Sequence, residues 1–327
     1  NEVLDLDHQR IRKHPSSAPI KQTQLPEIIV FMNGREWLRV MSLFALCSLL
    51  MCLWFIHATN DHTMKRTSVP RHTGEMQAGL VLTSYFTSAE DPQRNEFVEA
   101  DQFAYIQPLY DSAHEHEIPV VIFYDSLSDS FISQYQSDLV QFYKVTLRPS
   151  ISMNDERFLF YQEYLRSEHI EEKFKFVLLS DVSDVVFFRN PFQDFEVQQK
   201  TRASSNLDEC RAWVLKEHDT TISAMLPHMK ECYSSRSNFV NINFSTNADV
   251  YNAGVIGGTV NEVLLIIDSI VRELTRMDRG RSNCNMAALQ YVLPRIYNLD
   301  SICSQDMCWK DKPCSSQPFV WHKPPKI

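Results

Sequence analysis

The stretch Phe176–Phe192, FVLLSDVSDVVFFRNPF, sets two aspartates, Asp181 and Asp184, between two apolar runs of strand character. Phe176-Val177-Leu178-Leu179 is short and continuously apolar, the pattern of a strand buried on both faces of a parallel sheet. Such sheets present their ligand sites at the carboxyl ends of the strands. Two hard carboxylate oxygens there suit a divalent cation held against a diphosphate. Aspartates after a strand also build ordinary turns by bonding their own backbone. The spacing alone leaves both readings open, and the rest of the chain has to decide.

Around this stretch, strand-like and helix-like segments alternate from about residue 78 onward, which predicts an α/β fold with a mostly parallel sheet flanked by helices. Gly79 to Tyr85 and Ile118 to Tyr124 read as strands. Asn95 to Glu117 reads as helix with a kink or break at Pro108, and Asn154 to Ser167 as a helix running directly into the strand at Phe174. From Gln193 to Asp249 the pattern is irregular, with helices expected over Cys210–Lys216 and Ile222–Glu231. Tyr251 to Gly258 reads as strand and turn. Thr259 to Glu262 forms a capping box ahead of Val263, Ile267, Ile270 and Leu274 at helical spacing. A last helix, Asn285–Leu293, is expected to stop at Pro294, before an irregular tail rich in cysteine and proline.

The chain of 327 residues is long enough for a large core, and its net charge of −9 argues against nucleic acid as a partner. No block of Lys and Arg offers a footprint for a phosphate backbone. An anionic substrate would have to be held locally, by a metal or a few basic residues.

Val40 to Ile56 carries no charge, and Trp37, Leu38 and Ala58 extend it toward the roughly 20 residues that span a bilayer. It is expected to be a single transmembrane helix with Trp37 and Trp54 near its ends. The expected organisation is a cytoplasmic tail over 1–36, the anchor over 37–58, a stem over 59–77 and a folded lumenal domain over 78–327. Cysteine usage fits that placement. Outside the apolar run stand Cys210, Cys232, Cys284, Cys303, Cys308 and Cys314, an even set expected to form disulfides, with Cys210–Cys232 as one candidate pair. A zinc site among Cys303, Cys308 and Cys314 lacks the usual ligand spacing. Asn243-Phe244-Ser245 is an N-glycosylation sequon.

FVLLSDVSDVVF, YNAGVIGG and NCNMAALQYVL, followed by VWHKPP, together resemble the nucleotide-sugar glycosyltransferases of the GT-A fold. The likeness is to the glycogenin-like group and related eukaryotic type II membrane families, and it covers roughly residues 78–325. It implies a GT-A-like domain behind a single membrane anchor in the Golgi. It also implies Mn²⁺ or Mg²⁺ as cofactor, a nucleotide-sugar donor, and a glycan or glycoprotein acceptor. Asp184 matches the last aspartate of the family's Asp-x-Asp motif and is the expected metal ligand. Asp181 lies one residue too far upstream for the strict motif and is left to bind the metal, contact the ribose or cap the turn. His322 matches the late histidine that completes such metal sites, the alternative being an ordinary core or surface histidine. Lys323 beside it matches a phosphate contact or is a solvated lysine.

Asn252 and Gly254, in Asn252-Ala253-Gly254, match the strand that lines the sugar pocket. Thr83 and Tyr85 fall where base and ribose are held, with Tyr85 either stacking on the base or packing in the core. Arg94 and Arg157 match diphosphate contacts. Asn283-Cys284-Asn285 stands where many relatives carry an acidic pair, so catalysis here uses another group or is impaired. Two further functions stay open on these residues. One is a lumenal binding or scaffold protein of the same fold with a degenerate donor site. The other is a phosphoesterase, which the 11 histidines, forming no ligand pattern, do not favour. Asp208, Glu209 and Glu262 are indistinguishable as candidates for a general base.

Overall fold

The computed structural model describes residues 76–205, 210–234, 249–277, 283–304, 307–309 and 318–323. The tail, the apolar run Val40–Ile56, the stem up to residue 75, the Asn243 sequon, Asp208, Glu209 and Cys314 lie outside the described residues. Among the described residues no helix is long and apolar enough to cross a membrane.

The domain is α/β. Its strands are β1 (Gln77–Tyr85), β2 (Glu90–Asp91), β3 (Glu96–Phe97), β4 (Val120–Tyr124), β5 (Val140–Lys144), β6 (Phe174–Ser180), β7 (Val185–Phe187), β8 (Ala212–Thr221), β9 (Asp249–Thr259), β10 (Ile302–Cys303), β11 (Met307–Trp309) and β12 (Val320–His322). Its helices are α1 (Phe103–Glu115), α2 (Asp129–Tyr135), α3 (Met153–Ser167), the single turn α4 (Ile170–Lys173), α5 (Pro191–Ser205), α6 (Ile222–Cys232), α7 (Val260–Leu274) and α8 (Asn285–Ile296). Seven strands form the main sheet in the order β10-β8-β9-β6-β1-β4-β5. All of its pairings are parallel except those of β9, which runs antiparallel to both β6 and β8.

Period-two alternation divides the core into two layers. Leu80, Leu82, Val177, Leu179 and Ile256 pack with α3, α7 and α8 on one face. Val81, Tyr85, Ile122, Phe176 and Leu178 pack with α1, α2 and α5 on the other. Burial on both faces is why β6 reads as one unbroken apolar run.

The chain leaves β1 for β4 and β5 on one side, then returns to β6 on the other side of β1. Between β1 and β6 the strand order reverses, which is where open α/β sheets leave a crevice at their carboxyl edge. A small sheet, β11-β12-β7, covers that edge. Its β7 is tied to α1 by Phe187 N, which donates to Ser112 Oγ at 3.1 Å.

Several boundaries differ from those expected. The region from Asn95 opens with the β2–β3 hairpin, where Asn95 has a positive φ of 53°, and helix begins only at Phe103; it continues through Pro108. The helix expected over Cys210–Lys216 is strand β8. Ala212 and Val214 pack into one layer of the core and Trp213 and Leu215 into the other, the alternation of a strand covered on both faces between β9 and β10. The unexpected α5 carries a legible start. Asn190 Oδ1 accepts Phe192 N at 3.0 Å, Pro191 is its first residue, and Phe192 and Phe195 are spaced to face one side. The turn α4 interrupts the passage from α3 to β6, and α8 carries on past Pro294 to Ile296. Thr259 caps α7 as expected, its Oγ1 accepting Glu262 N at 3.3 Å, while the Glu262 carboxylate turns to Arg211 and Tyr297.

Disulfides join Cys210 to Cys303 and Cys232 to Cys284, and Cys308 is disulfide-bonded as well. The expected Cys210–Cys232 bridge is therefore replaced. Cys210 leads into β8, whose partner β10 brings Cys303 alongside, whereas Cys232 ends α6 against the start of α8. These bonds also leave Cys303 and Cys308 unable to act as zinc thiolates.

Candidate metal and ligand site

Asp181 follows the last residue of β6, and Asp184 precedes the first residue of β7. The third member of the cluster comes from far along the chain. β12 pairs antiparallel with β7 so that His322 stands opposite Val185, and Lys323 N donates to Asp184 O at 2.6 Å. His322 Nε2 thereby lies 3.0 Å from Asp181 Oδ2 and 3.4 Å from Asp184 Oδ1. One ligand atom from each of the three residues falls within 4.8 Å of the others, so the group could hold a metal ion. Its chemistry fits a divalent cation of the harder kind, with two carboxylates and one imidazole. Asp184 Oδ1 is a buried oxygen that no hydrogen bond satisfies, which is the state of a group built to meet a cation.

Arg157 projects from α3 into the same place. Its Nη1 donates to Asp181 Oδ1, and its Nη2 donates to Ala253 O at 3.2 Å. Burial alone would raise the Asp181 carboxyl. The Arg157 guanidinium and the His322 imidazole outweigh it and hold Asp181 well below the usual carboxylate range. Burial alone would lower His322, but the Asp181 and Asp184 carboxylates overcome that and raise it. Asp181 N also donates to Gly254 O at 2.9 Å, across the β6–β9 pairing. A Cβ at position 254 would collide with Asp181 Oδ2, so glycine is required there by close approach.

The cluster opens into a cleft at the carboxyl edge of β1 and β6. Of the residues expected at a ligand site, Arg94, Arg157, Asp181, Asp184, Asn252, Gly254, His322 and Lys323 all line it. Arg94 is paired with Asp91 at 3.7 Å. Thr83 and Tyr85 do not line it. Both are fully buried, and Tyr85 stacks on Tyr105 at 4.9 Å between ring centres while its hydroxyl donates to Glu99 O at 2.5 Å. Alternation along β1 explains this, because Ser84 between them is the residue that reaches the cleft.

Sequence reasoning passed over other residues of the wall. Ser183 is one. Glu217 of β8 is another, accepting from Asn252 Nδ2 at 2.5 Å. Asp155 lies outside the cleft but shapes it. Its carboxylate accepts Cys284 N at 2.9 and 3.0 Å and Asn285 N at 2.7 Å, and so caps the start of α8. Burial pushes Asp155 up to about 6 against the opposing pull of those N–H groups. The cap places Asn283 and Asn285 in the cleft wall, with the Cys232–Cys284 disulfide between them in sequence. The visible signal was the Asn154-Asp155-Glu156-Arg157 run at the start of a helix. Glu262, a possible base by sequence, instead binds Arg211 at 2.7 Å and Tyr297 and does not line the cleft.

No family model matches the chain, and no curated protein matches it.

Proposed function

We propose that this protein is a metal-dependent glycosyltransferase that moves a sugar from a nucleotide-sugar donor to a glycan or glycoprotein acceptor. The observation that carries the reading is the meeting of Asp181, Asp184 and His322 at the carboxyl edge of the sheet, where the strand order reverses. Arg94, Arg157 and Lys323 line the same cleft and supply positive charge in a domain of net negative chain charge. In this reading Asp181, Asp184 and His322 hold Mn²⁺ or Mg²⁺. The ion's contribution is to offset charge growing on the diphosphate leaving group. Asn252 and the backbone at Gly254 face the sugar, and Arg157 keeps Asp181 ionised and aimed. The disulfides fit an oxidising compartment, and with the apolar run Val40–Ile56 they support a Golgi type II placement, the C-terminal domain lumenal.

A calorimetric titration tests this reading. Uridine or guanosine diphosphate is expected to bind in the presence of Mn²⁺ and to bind much more weakly after chelation. The absence of binding to any nucleoside diphosphate, with or without metal, would sink it.

One observation favours a second reading, a binding protein of the same fold without turnover. Both oxygens of Asp181 are already engaged, one by Arg157 and one by His322, so the cluster is electrostatically closed on itself. Nucleotide binding without hydrolysis or transfer of any sugar would select that reading.

A further inference from the structure

A second, wider cleft opens beside the metal cluster's cleft. The first encloses about 140 Å³ and the second about 850 Å³. They share Gln93, Met153, Glu217, Asn283 and Met286, and of these five only Glu217 ionises. The other carboxylates near the junction are committed or belong to one side. Asp181 and Asp184 converge on His322, Asp91 accepts from Asn154 at 3.2 Å and pairs with Arg94, and Glu90 and Glu231 line the wider cleft alone.

Glu217 is also oriented. Asn252 Oδ1 accepts the backbone N–H of Gly254 at 2.5 Å, which fixes the amide so that Nδ2 points the other way and donates to Glu217 Oε1. Glu217 Oε2 makes no hydrogen bond to a described residue. One carboxylate oxygen is thus anchored to the strand that faces the donor pocket, and the other is left for a ligand at the boundary of the two clefts.

We propose that Glu217 is the general base of the reaction, taking the proton of an acceptor hydroxyl that arrives through the wider cleft. The assignment rests on the glycosyltransferase reading above. The hydroxyl oxygen forms its bond to the anomeric carbon while the bond from that carbon to the diphosphate oxygen breaks. That bond's electron pair leaves on the nucleoside diphosphate, and the hydroxyl proton passes to Glu217 Oε2, from which solvent later removes it. Glutamine at this position keeps an oxygen for Asn252 and loses the base, which makes Glu217→Gln the informative change.

Hydrolysis of sugar nucleotides by the 327-residue chain with Mn²⁺ tests this without a known acceptor, because water then supplies the hydroxyl. Glu217→Gln is expected to slow hydrolysis by about 100-fold or more. Binding of the nucleoside diphosphate with Mn²⁺ should stay within about threefold of wild type. The control Glu163→Gln, an exposed carboxylate of α3 that lines neither cleft, should hydrolyse at close to the wild-type rate. Glu217 is not the base if its variant hydrolyses as fast as wild type, or if nucleotide binding falls in step with turnover. Wild-type binding without any hydrolysis overturns the base while sparing the nucleotide site. No binding and no hydrolysis by wild type instead removes the transferase reading on which the assignment stands.

Discussion

Strands β1 and β6 lie side by side, run in the same direction and end at the same edge of the sheet, yet they meet the cleft in different ways. β6 stops at Ser180, Asp181 keeps one more backbone bond to β9 through Gly254 O, and the chain then turns so that Asp181 and Asp184 converge with His322. β1 continues as strand through Tyr85, so Thr83 and Tyr85 stay locked on the buried face and only Ser84 reaches the opening. The lesson is that closeness to a strand end does not make a residue part of a site. What matters is the face the ladder assigns a side chain, towards the cleft at Ser84 and His322 and away from it at Thr83 and Tyr85.

The largest effect that would test this contrast is on Tyr85. As a core residue, Tyr85→Ala should cost about 3–5 kcal/mol in urea unfolding. Mn²⁺-dependent nucleotide affinity should hold in the protein that remains folded. A loss of nucleotide binding with little loss of stability would break the comparison and return Tyr85 to the base-stacking role that its position in sequence suggests.

Asp184→Ala should do the reverse. The affinity for nucleoside diphosphate in Mn²⁺ should drop by about 100-fold, at or beyond the upper end of what changes around metal ligands produce. The unfolding midpoint should move little. Unchanged affinity would remove Asp184 from the metal site.

The pH dependence of metal binding sharpens the roles within the cluster. His322 is raised by its two carboxylate neighbours, so below its raised value an arriving ion must displace a proton from the imidazole. Asp181 is held low and stays ionised across that range, and so adds no slope of its own. Apparent Mn²⁺ affinity should therefore rise about tenfold per pH unit on the acid side and level off above the imidazole's value. A flat profile by calorimetry would exclude His322 as a ligand.

The smallest effect is expected at Thr83, whose buried hydroxyl has no hydrogen-bond partner. Thr83→Val keeps the shape and removes the unsatisfied group, so stability should rise by about 1 kcal/mol with nucleotide binding unaltered. A destabilised variant with weakened binding would put Thr83 at the site after all.

Much of the fold was legible because it depends on local pattern. Runs such as Val177-Leu178-Leu179 announce strands covered on both sides, and the Thr259 capping box with the apolar spacing behind it announces α7. Errors fell where pattern is ambiguous. Trp213-Val214-Leu215 is too short for periodicity to separate strand from helix, and only its place between β9 and β10 decides the matter. The hairpin before α1 turns on a positive φ at Asn95, which asparagine tolerates without advertising it.

By itself the sequence determined an α/β domain, the identity of its central strands, and the candidates Asp181, Asp184, His322 and Arg157. Burial on both faces and the scarcity of charge in such strands leave a trace that neighbouring residues carry alone. Tertiary structure decided which candidates meet. His322 lies 141 residues from Asp181 and reaches it only because β12 pairs with β7. The pairing of Cys210 with Cys303, the cap that Asp155 places on α8, and the bond between Asn252 and Glu217 are likewise set by elements remote in sequence. A side chain's partners depend on strand order and register, which arise from packing the whole sheet and not from any short stretch of it.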